Sequence, residues 1–333
     1  MPVRHILTAC FFFVLALGLS TARADESEDE RARLAYPIVD TGQVRAFDAE
    51  REIAYPAPGK PFFGQDAHYA GNAPRYKDLG NGTVLDVVTR LIWQKTAGAK
   101  GTYAQLKAAA KRCRTGGHKD WRLPTIKELY SLILFSGRDL DPMSASQGDA
   151  RPFLDTQAFD FAYGDTSKGE RLIDSQWATS TEYVHTTMDG TPTLFGVNFA
   201  DGRIKGYGLR NPRGEKTFFA RYVRGHTDYG RNDFVDNKDG TVTDRATGLT
   251  WMKQDSGHLK AGKAKDGRMD WPTALAWAEN LKHAGHDDWR LPDAKELHSI
   301  VDYGRSPATT RSAAIDPVFE VSNVKAADGT KDY

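Results

Sequence analysis

The sequence repeats one pattern twice, and this repeat constrains the fold more than any other feature. Residues 81–95 read NGTVLDVVTRLIWQK and residues 239–253 read DGTVTDRATGLTWMK, with eight of fifteen positions identical. Residues 117–133 and 285–301 align in the same order, with eleven of seventeen positions identical. Self-similarity on this scale indicates two copies of one structural unit, called copy one and copy two below.

Each copy predicts the same order of elements. The dipeptides Asn81-Gly82 and Asp239-Gly240 are typical of two-residue hairpin turns. A helix follows, whose inward face is expected to contain Tyr103, Leu106, Ala110 and Cys113 in copy one and Trp271, Ala274, Ala278 and Leu281 in copy two. A second helix is expected to turn inward Leu129, Leu132 and Ile133 in copy one and Leu297, Ile300 and Val301 in copy two.

The start of the second helix has its own signal. Thr125-x-x-Glu128 is a capping box, and Asp293-x-x-Glu296 is the acidic variant of it. In copy one, short strands rich in β-branched and aromatic residues follow from Trp177 onward. Two helices with short antiparallel strands predict an α+β domain in each copy.

The two copies differ in length. Copy one is expected at 76–225 and continues for 66 residues after Phe159, whereas copy two, at 226–333, has only 14 residues after the similar Phe319. Copy two therefore lacks a counterpart of the β-rich half. We expect that the sequence is a fragment or a truncated gene, or that copy two takes its cover from copy one or from another chain.

The N-terminus carries an export signal. A basic start, an apolar stretch at 6–19 and an Ala-x-Ala site ending at Ala24 predict a signal peptide over 1–24. The apolar stretch is too short for a membrane span, so no transmembrane anchor is expected after cleavage. Residues 25–75 begin with an acidic run and continue rich in Pro, Gly and aromatic residues, which predicts an extended segment. The predicted location is extracytoplasmic, in the periplasm or secreted.

Composition excludes several classes of protein. Lys+Arg 45 against Asp+Glu 44 gives a net charge of +1, which argues against a nucleic-acid binder. Two cysteines exclude a disulfide framework or a multi-cysteine zinc site. A mean hydropathy of −0.56 excludes a polytopic membrane protein. We expect no cofactor and no metal.

The combined motifs resemble a known family. An Asp-Gly-Thr-Val-x-Asp-x-x-Thr-Gly-Leu-x-Trp pattern followed by Asp-Trp-Arg-Leu-Pro-x-x-x-Glu-Leu is similar to the Lcl C-terminal domain family, a bacterial domain of unknown function. The resemblance implies a C-type-lectin-like fold related to that of the formylglycine-generating enzyme. It also implies an envelope or secreted protein, because a member is a collagen-like adhesin associated with sulfated polysaccharides.

The resemblance also bears on Cys113. Family members often pair this cysteine with one in a final Arg-Cys-Val-Arg strand, and here Tyr222 stands at that position. Without late cysteines, formylglycine-generating activity is excluded. We expect Cys113 to be a buried, unreactive core thiol.

Metal ligation is the less favoured interpretation of the His-x-Asp pattern that recurs in both copies. His118-x-Asp120 and His286-x-Asp288 have no further ligand at a recognisable spacing, so a turn is preferred. The calcium loop suggested by the residues before Gly240 lacks oxygen donors at its first and last positions. The sugar-binding calcium motifs of C-type lectins are also absent from the sequence.

The remaining motif residues are expected to be structural. Arg122 and Arg290 are expected to make forked bonds, with Glu128 and Glu296 as possible partners. The structural set comprises Trp93, Trp121, Arg122, Pro124, Glu128, Trp251, Trp289, Arg290, Pro292 and Glu296.

Two basic clusters are the candidate ligand-binding residues. One is a helical stripe and the other a loop present only in copy two; together they comprise Lys107, Lys111, Arg114, Lys260, Lys263, Lys265 and Arg268. Such clusters suit sulfated or carboxylated polymers, and the alternative is an ordinary solvated surface. With no catalytic constellation in the sequence, we expect a non-catalytic recognition or adhesion module that binds polyanionic glycans. The alternatives are an enzyme of unassigned chemistry on the same scaffold and a structural envelope protein.

Overall fold

The computed structural model describes residues 34–187, 190–212, 214–325 and 331–332, so the predicted signal peptide and the acidic run lie outside the described residues. The helices are α1 (Tyr103–Arg112), α2 (Ile126–Tyr130), α3 (Trp271–Glu279), α4 (Ala294–Ser299) and α5 (Pro307–Thr310), with 3-10 helices at Asp66–His68, Thr115–Gly117 and Thr166–Lys168.

The strands are short, as expected for a turn-rich α+β chain. Those before copy two are β1 (Ala46–Phe47), β2 (Glu52–Ile53), β3 (Tyr76–Asp78), β4 (Thr83–Asp86), β5 (Ile92–Gln94), β6 (Gly101–Thr102), β7 (Gln176–Thr187), β8 (Thr191–Asn198), β9 (Arg203–Gly208), β10 (Arg210–Asn211), β11 (Gly214–Glu215), β12 (Thr217–Phe218) and β13 (Val223–Arg224). Those of copy two are β14 (Phe234–Asp236), β15 (Thr241–Asp244), β16 (Leu249–Met252), β17 (Val324–Lys325) and β18 (Lys331–Asp332).

Both copies begin with the same antiparallel meander. In copy one the sheet order is β13-β5-β4-β3, and in copy two it is β14-β15-β16, without a fourth strand beside β16 among the described residues. The hairpin is as predicted, but its turn is not a two-residue one. In copy one, Asp78 pairs with Val84, so the connecting loop is longer than two residues. Its left-handed positions are occupied by Gly80 and Gly82, because glycine adopts a positive φ without steric strain.

Copy one is completed by the sheet β7-β8-β9. Trp93 and Trp177 are fully buried in a core that also contains the apolar side of α2. A second cluster covers α1 and the Trp121-Arg-Leu motif, and its members from the β-rich half are Ala178, Leu194, Tyr207, Phe218, Ala220 and Tyr222. The β-rich half therefore covers the first helix of copy one.

The capping boxes predicted for the second helices are both present. Thr125 accepts from the Glu128 amide at 3.2 Å while Glu128 accepts from the Thr125 amide at 2.8 Å. Asp293 and Glu296 make the same exchange at 2.8 and 2.9 Å. Local sequence therefore fixes the start of α2 and α4.

Copy two buries different faces of its helices from those predicted. The described residues of copy two include no counterpart of the β7-β8-β9 sheet, and Trp271 is 41 % exposed where the equivalent Tyr103 is buried. Ala274 and Leu281 are only partly buried, and α3 instead buries Leu275 together with Ala278. The expectation for Trp271, Ala274 and Leu281 is wrong because no sheet covers that face.

The inward face expected for α4 is also partly wrong. Leu297 is 53 % exposed, whereas its equivalent in copy one, Leu129, is fully buried. The residues that α4 buries are instead Lys295, Glu296, His298 and Ser299. The reason is that α4 packs against α2 of copy one, where the rings of His298 and Tyr130 meet edge to face at 4.5 Å.

Cys113 lies at the end of a helix rather than within its buried face. It follows Arg112, the last residue of α1, and is partly buried. Its Sγ lies 3.2 Å from Nε2 of Gln94 and 3.3 Å from the Thr115 hydroxyl. The expectation of a fully buried thiol is therefore wrong, since the helix ends one residue early and leaves the side chain at its edge.

Candidate functional site

The two copies meet through a pair of equivalent lysines. Lys127 of α2 donates to the backbone carbonyl of Ser299 at 2.7 Å and to Oδ1 of Asn232 at 2.9 Å. Lys295 of α4 donates to the carbonyl of Ser131 at 2.9 Å. Each lysine therefore reaches the carboxyl end of the equivalent helix in the other copy.

The lysine contacts are buried, which affects their titration. Lys295 also donates to the Asp40 carbonyl at 3.0 Å and is 3 % exposed. Burial lowers the pKa of Lys295 to about 8, and burial likewise lowers the pKa of Lys127 to about 8. Carbonyl dipoles at a helix carboxyl end favour a cation, so the geometry holds both ammonium groups despite burial.

A groove of about 890 Å³ lies beside this junction. One wall comes from copy one: α1, the Trp121-Arg-Leu motif and α2. The other wall comes from the linker between the copies and from copy two, and it includes Thr227, Tyr229, Asn232, Phe234, Tyr303 and Asp316. We call this cavity the junction groove.

The two walls of the junction groove differ in their charged side chains. Lys107 and Lys111 of α1 are exposed on the copy-one side. Asp302 and Asp316 lie on the opposite wall, where each accepts a backbone amide, from Gly304 and from Val318, at 2.8 Å. Arg231 of the linker also lines that wall, so the exposed charge of the copy-one side is basic whereas that of the opposite wall is mixed.

Arg122 lines the groove and is hydrogen-bonded to a buried glutamate of copy one. Its two terminal nitrogens donate to the two carboxylate oxygens of Glu128 at 2.7 and 2.6 Å, and one also donates to the His226 carbonyl at 3.1 Å. Glu128 is 1 % exposed. The forked bond predicted from the sequence is present, and the guanidinium also lines the junction groove.

Arg290 and Glu296 repeat the forked pair in copy two. One guanidinium nitrogen donates to Oε2 of Glu296 at 2.7 Å and the other donates to Oε1. The same guanidinium lies over the ring of Tyr69, 5.1 Å from its centroid. In copy two, a residue of the N-terminal segment thus occupies the space beside the arginine.

The tryptophans of the Trp-Arg-Leu-Pro motif donate to equivalent backbone carbonyls in both copies, and Trp121 also lines the junction groove. The indole nitrogen of Trp121 donates to the Thr115 carbonyl at 3.1 Å, and that of Trp289 donates to the His283 carbonyl at 3.2 Å. Trp93 is fully buried, whereas Trp251 is partly exposed. Of the two prolines, Pro124 is buried and its carbonyl accepts from the Ser180 amide at 2.7 Å, whereas Pro292 is partly exposed.

The predicted basic stripe does not act as a unit. Lys107 and Lys111 line the junction groove, and Nζ of Lys107 lies 3.5 Å from Glu182 and 4.2 Å from the Tyr103 ring centroid. Arg114 instead donates to the carbonyls of Lys111 and Cys113 at 3.0 and 2.7 Å. Arg114 does not line the groove because it follows the helix end and turns back onto the backbone.

The basic loop of copy two lies elsewhere. Its backbone closes on itself, with the Gly267 amide donating to the Ala261 carbonyl at 3.0 Å. None of its four basic residues lines the junction groove, and all are exposed: Lys260, Lys263, Lys265 and Arg268. The structure therefore does not bring the two predicted clusters into one cavity.

The recurring His and Asp pairs form no metal cluster within the described part of the chain. Asp120 accepts from Nε of Arg224 at 2.8 Å, and His118 packs edge-on against Trp121. In copy two, Nδ1 of His286 lies 3.9 Å from Oδ1 of Asp288.

A serine, histidine and aspartate meet in copy two without forming a catalytic relay. The Ser322 hydroxyl donates to Oδ1 of Asp255 at 2.6 Å, and Nδ1 of His258 lies 3.2 Å from the same oxygen and 3.1 Å from the hydroxyl. A catalytic triad needs the serine and the aspartate on opposite ring nitrogens. This cluster therefore closes the loop onto the chain end, and no motif in the sequence had marked it.

Sequence reasoning also missed the second wall of the groove. Tyr229, Asn232 and Tyr303 carry no recognisable motif, and only the packing of copy two against copy one brings them to α2.

Among the described residues, no helix has the length and apolar character needed to cross a membrane.

Comparison with known proteins agrees with the internal repeat. No curated protein and no solved structure matches the chain. The family model for the Lcl C-terminal domain matches residues 82–224 and again 240–328, so that the second matched segment is the shorter one. These two segments cover more than half of the chain, and the protein belongs to the Lcl C-terminal domain family.

Proposed function

We propose that this protein is a non-catalytic, extracytoplasmic recognition or adhesion module whose binding surface is the junction groove and whose ligand is anionic. The observation that carries the proposal is that Lys107 and Lys111 line a groove whose lining also contains aromatic side chains. Lys111 is exposed and has no ion-pair partner within the described residues. It is therefore free to meet an anion from outside.

The shape of the site favours binding over chemistry. Several titratable groups of the groove are engaged in structure: Glu128 accepts from Arg122, Lys127 donates to the Ser299 carbonyl, and Asp302 and Asp316 each accept from a backbone amide. A general base or nucleophile needs a free group within reach of a substrate. We therefore infer a surface that recognises a ligand through several weak, salt-sensitive contacts.

Location and fold detail belong to the same proposal. The predicted signal peptide at 1–24 supports export to the periplasm or secretion, where anionic polymers such as sulfated glycans are available ligands. We propose that the two copies follow the C-type-lectin-like topology. Two helices beside small antiparallel sheets in copy one support this topology.

The test uses heparin, a sulfated polysaccharide, as the probe. The exported chain is loaded on a heparin column, and the eluting salt concentration is compared with that of Lys107→Glu/Lys111→Glu. The matched control is Lys263→Glu/Lys265→Glu, which makes the same charge change in the exposed loop away from the groove. We expect the groove variant to elute at a clearly lower salt concentration than the loop variant.

Two results would contradict the proposal. Unchanged elution of the groove variant means that the junction groove does not bind this polyanion. Equal shifts for the groove and loop variants mean that retention reflects net charge alone.

A further inference from the structure

A segment of the chain packs against copy two at positions equivalent to part of the groove wall of copy one. Alignment of the copies at Trp121 and Trp289 pairs Tyr103 with Trp271 and Arg122 with Arg290. In copy two, these equivalents are in contact with residues 62–69 of the N-terminal segment, called the strap below. The ring of Phe62 meets that of Trp271 at 5.4 Å, edge to face.

The strap fits closely against α3. The backbone of Gly64 approaches Glu279 so closely that an added Cβ would lie 2.6 Å from Oε1. The Tyr69 hydroxyl donates to the same carboxylate. The Tyr69 ring lies under the Arg290 guanidinium, 5.1 Å from its centroid, which is the geometry of a cation–π contact.

Part of the equivalent surface of copy one, with Arg122 and Lys111, lines the junction groove, whereas Tyr103 is buried beneath the β-rich half. Arg122 stands in place of Arg290, with the same forked bond to a glutamate and its guanidinium lining the cavity. Its side chain is 29 % exposed, close to the 28 % of Arg290 beside the strap. Arg290 has this exposure with the Tyr69 ring against it, so Arg122 is already partly covered by its own copy, and a ring in the groove can meet only the exposed part of its guanidinium.

The charge of the surface is reversed between the copies. Lys107 and Lys111 of copy one replace Leu275 and Glu279 of copy two. Where the strap donates a hydroxyl to a carboxylate, a ligand of copy one meets an ammonium group, which requires an acceptor or an anion. An occupant of copy one is therefore expected to be acidic at this position.

We propose that the junction groove binds an extended peptide segment of a partner protein in which carboxylates flank an aromatic side chain. The ring lies against Arg122, and the carboxylates pair with Lys107 and Lys111. This inference rests on the proposed function, since it names the ligand class of the same groove.

The experiment uses the strap itself as the template for the probe. The peptide of residues 61–70, PFFGQDAHYA, is synthesised with Ala67→Glu and Ala70→Glu, which place carboxylates on both sides of Tyr69. The matched control peptide carries Ala67→Gln and Ala70→Gln. Binding of each fluorescently labelled peptide to the full exported chain is measured by anisotropy at low and moderate salt.

A double variant at positions 107 and 111 tests whether these lysines set the preference of the groove for carboxylates. Lys107→Leu/Lys111→Glu gives copy one the residues at the equivalent positions of copy two, Leu275 and Glu279, of which Glu279 accepts from Tyr69 of the strap. We expect the wild-type chain to bind the glutamate peptide at least about tenfold more tightly than the glutamine peptide. In the double variant this preference is lost, and the glutamine peptide becomes the better ligand.

Each other outcome has a definite meaning. Equal affinities of the wild-type chain for the two peptides, or no binding of either, overturns the inference. If heparin retention still depends on Lys107 and Lys111 in that case, the proposed function stands and the ligand is a glycan. If heparin retention is also independent of these lysines, the proposed function fails with it.

Discussion

Lys127 and Lys295 occupy equivalent positions in the two copies, and each donates to the backbone carbonyl of an equivalent serine, Ser299 or Ser131, in the other copy. The junction of the copies thus has an approximate two-fold relationship at these side chains. It positions the linker and copy two opposite α1 and α2, and these elements form the walls of the junction groove.

Lys295→Met is expected to destabilise the chain, because it leaves the carbonyls of Asp40 and Ser131 without this buried donor. The loss is about 1–3 kcal/mol, the cost of an unsatisfied buried polar group. Urea unfolding measures it, with Lys238→Met as the control, since that side chain is 81 % exposed. A wild-type midpoint for Lys295→Met would mean that the junction does not depend on this contact.

His298 is expected to make stability sensitive to acid. Burial lowers the pKa of His298 from 6.5 to about 3. Between pH 6.5 and pH 3, the imidazole is therefore protonated in the unfolded chain and neutral in the folded chain. Stability is therefore lost as the pH falls from 6.5 towards 3, with a slope approaching about 1.4 kcal/mol per pH unit.

Asp293 changes the unfolding free energy with pH in the opposite direction, so the measurement must isolate the contribution of His298. Burial raises the pKa of Asp293 to about 6, so the folded chain keeps that proton and gains stability as the pH falls from 6 towards 3.8. The difference in unfolding free energy between the wild type and His298→Gln isolates the histidine, and it should shrink as the pH falls. The exposed His185→Gln is the control. A pH-independent difference would contradict the prediction.

Trp121→Ala is expected to destabilise more than Trp289→Ala. Both indoles donate to a backbone carbonyl, but Trp121 is 4 % exposed beneath the β-rich half and Trp289 is only partly buried. Loss of a fully buried tryptophan costs about 3–5 kcal/mol, and the cost for Trp289 should be clearly smaller. Equal shifts of the urea midpoint would show that copy two is as well covered as copy one.

Glu128→Gln is expected to be severely destabilising. It removes the carboxylate that holds both terminal nitrogens of Arg122 and the Thr125 amide. Breaking a buried ion pair in this way costs about 3–5 kcal/mol. The control is Asp149→Asn, which breaks the exposed pair with Arg138 and should change thermal unfolding little. A wild-type melting temperature for Glu128→Gln would refute the structural role of the fork.

The failures of sequence reasoning have a common physical origin. The exposed Leu297 and Trp271 follow the predicted periodicity, but periodicity only says which residues share a face and not what lies against that face. The β-rich half covers α1 in copy one, whereas the strap packs on α3 in copy two. Arg114 was placed on the stripe because helix ends are difficult to locate to one residue.

The sequence by itself determined what depends on neighbouring residues: the repeat, the hairpin that opens each copy, both capping boxes, the Arg–Glu forks and the family. These features need only short-range hydrogen bonds or a recognisable pattern. Only the tertiary structure decided that Lys127 and Lys295 join the copies, that the strap packs against copy two, and that Lys107 and Lys111 line an open groove. Contacts between residues such as Tyr69 and Glu279, 210 positions apart, leave no periodic signal in the chain, because they depend on how whole copies pack together.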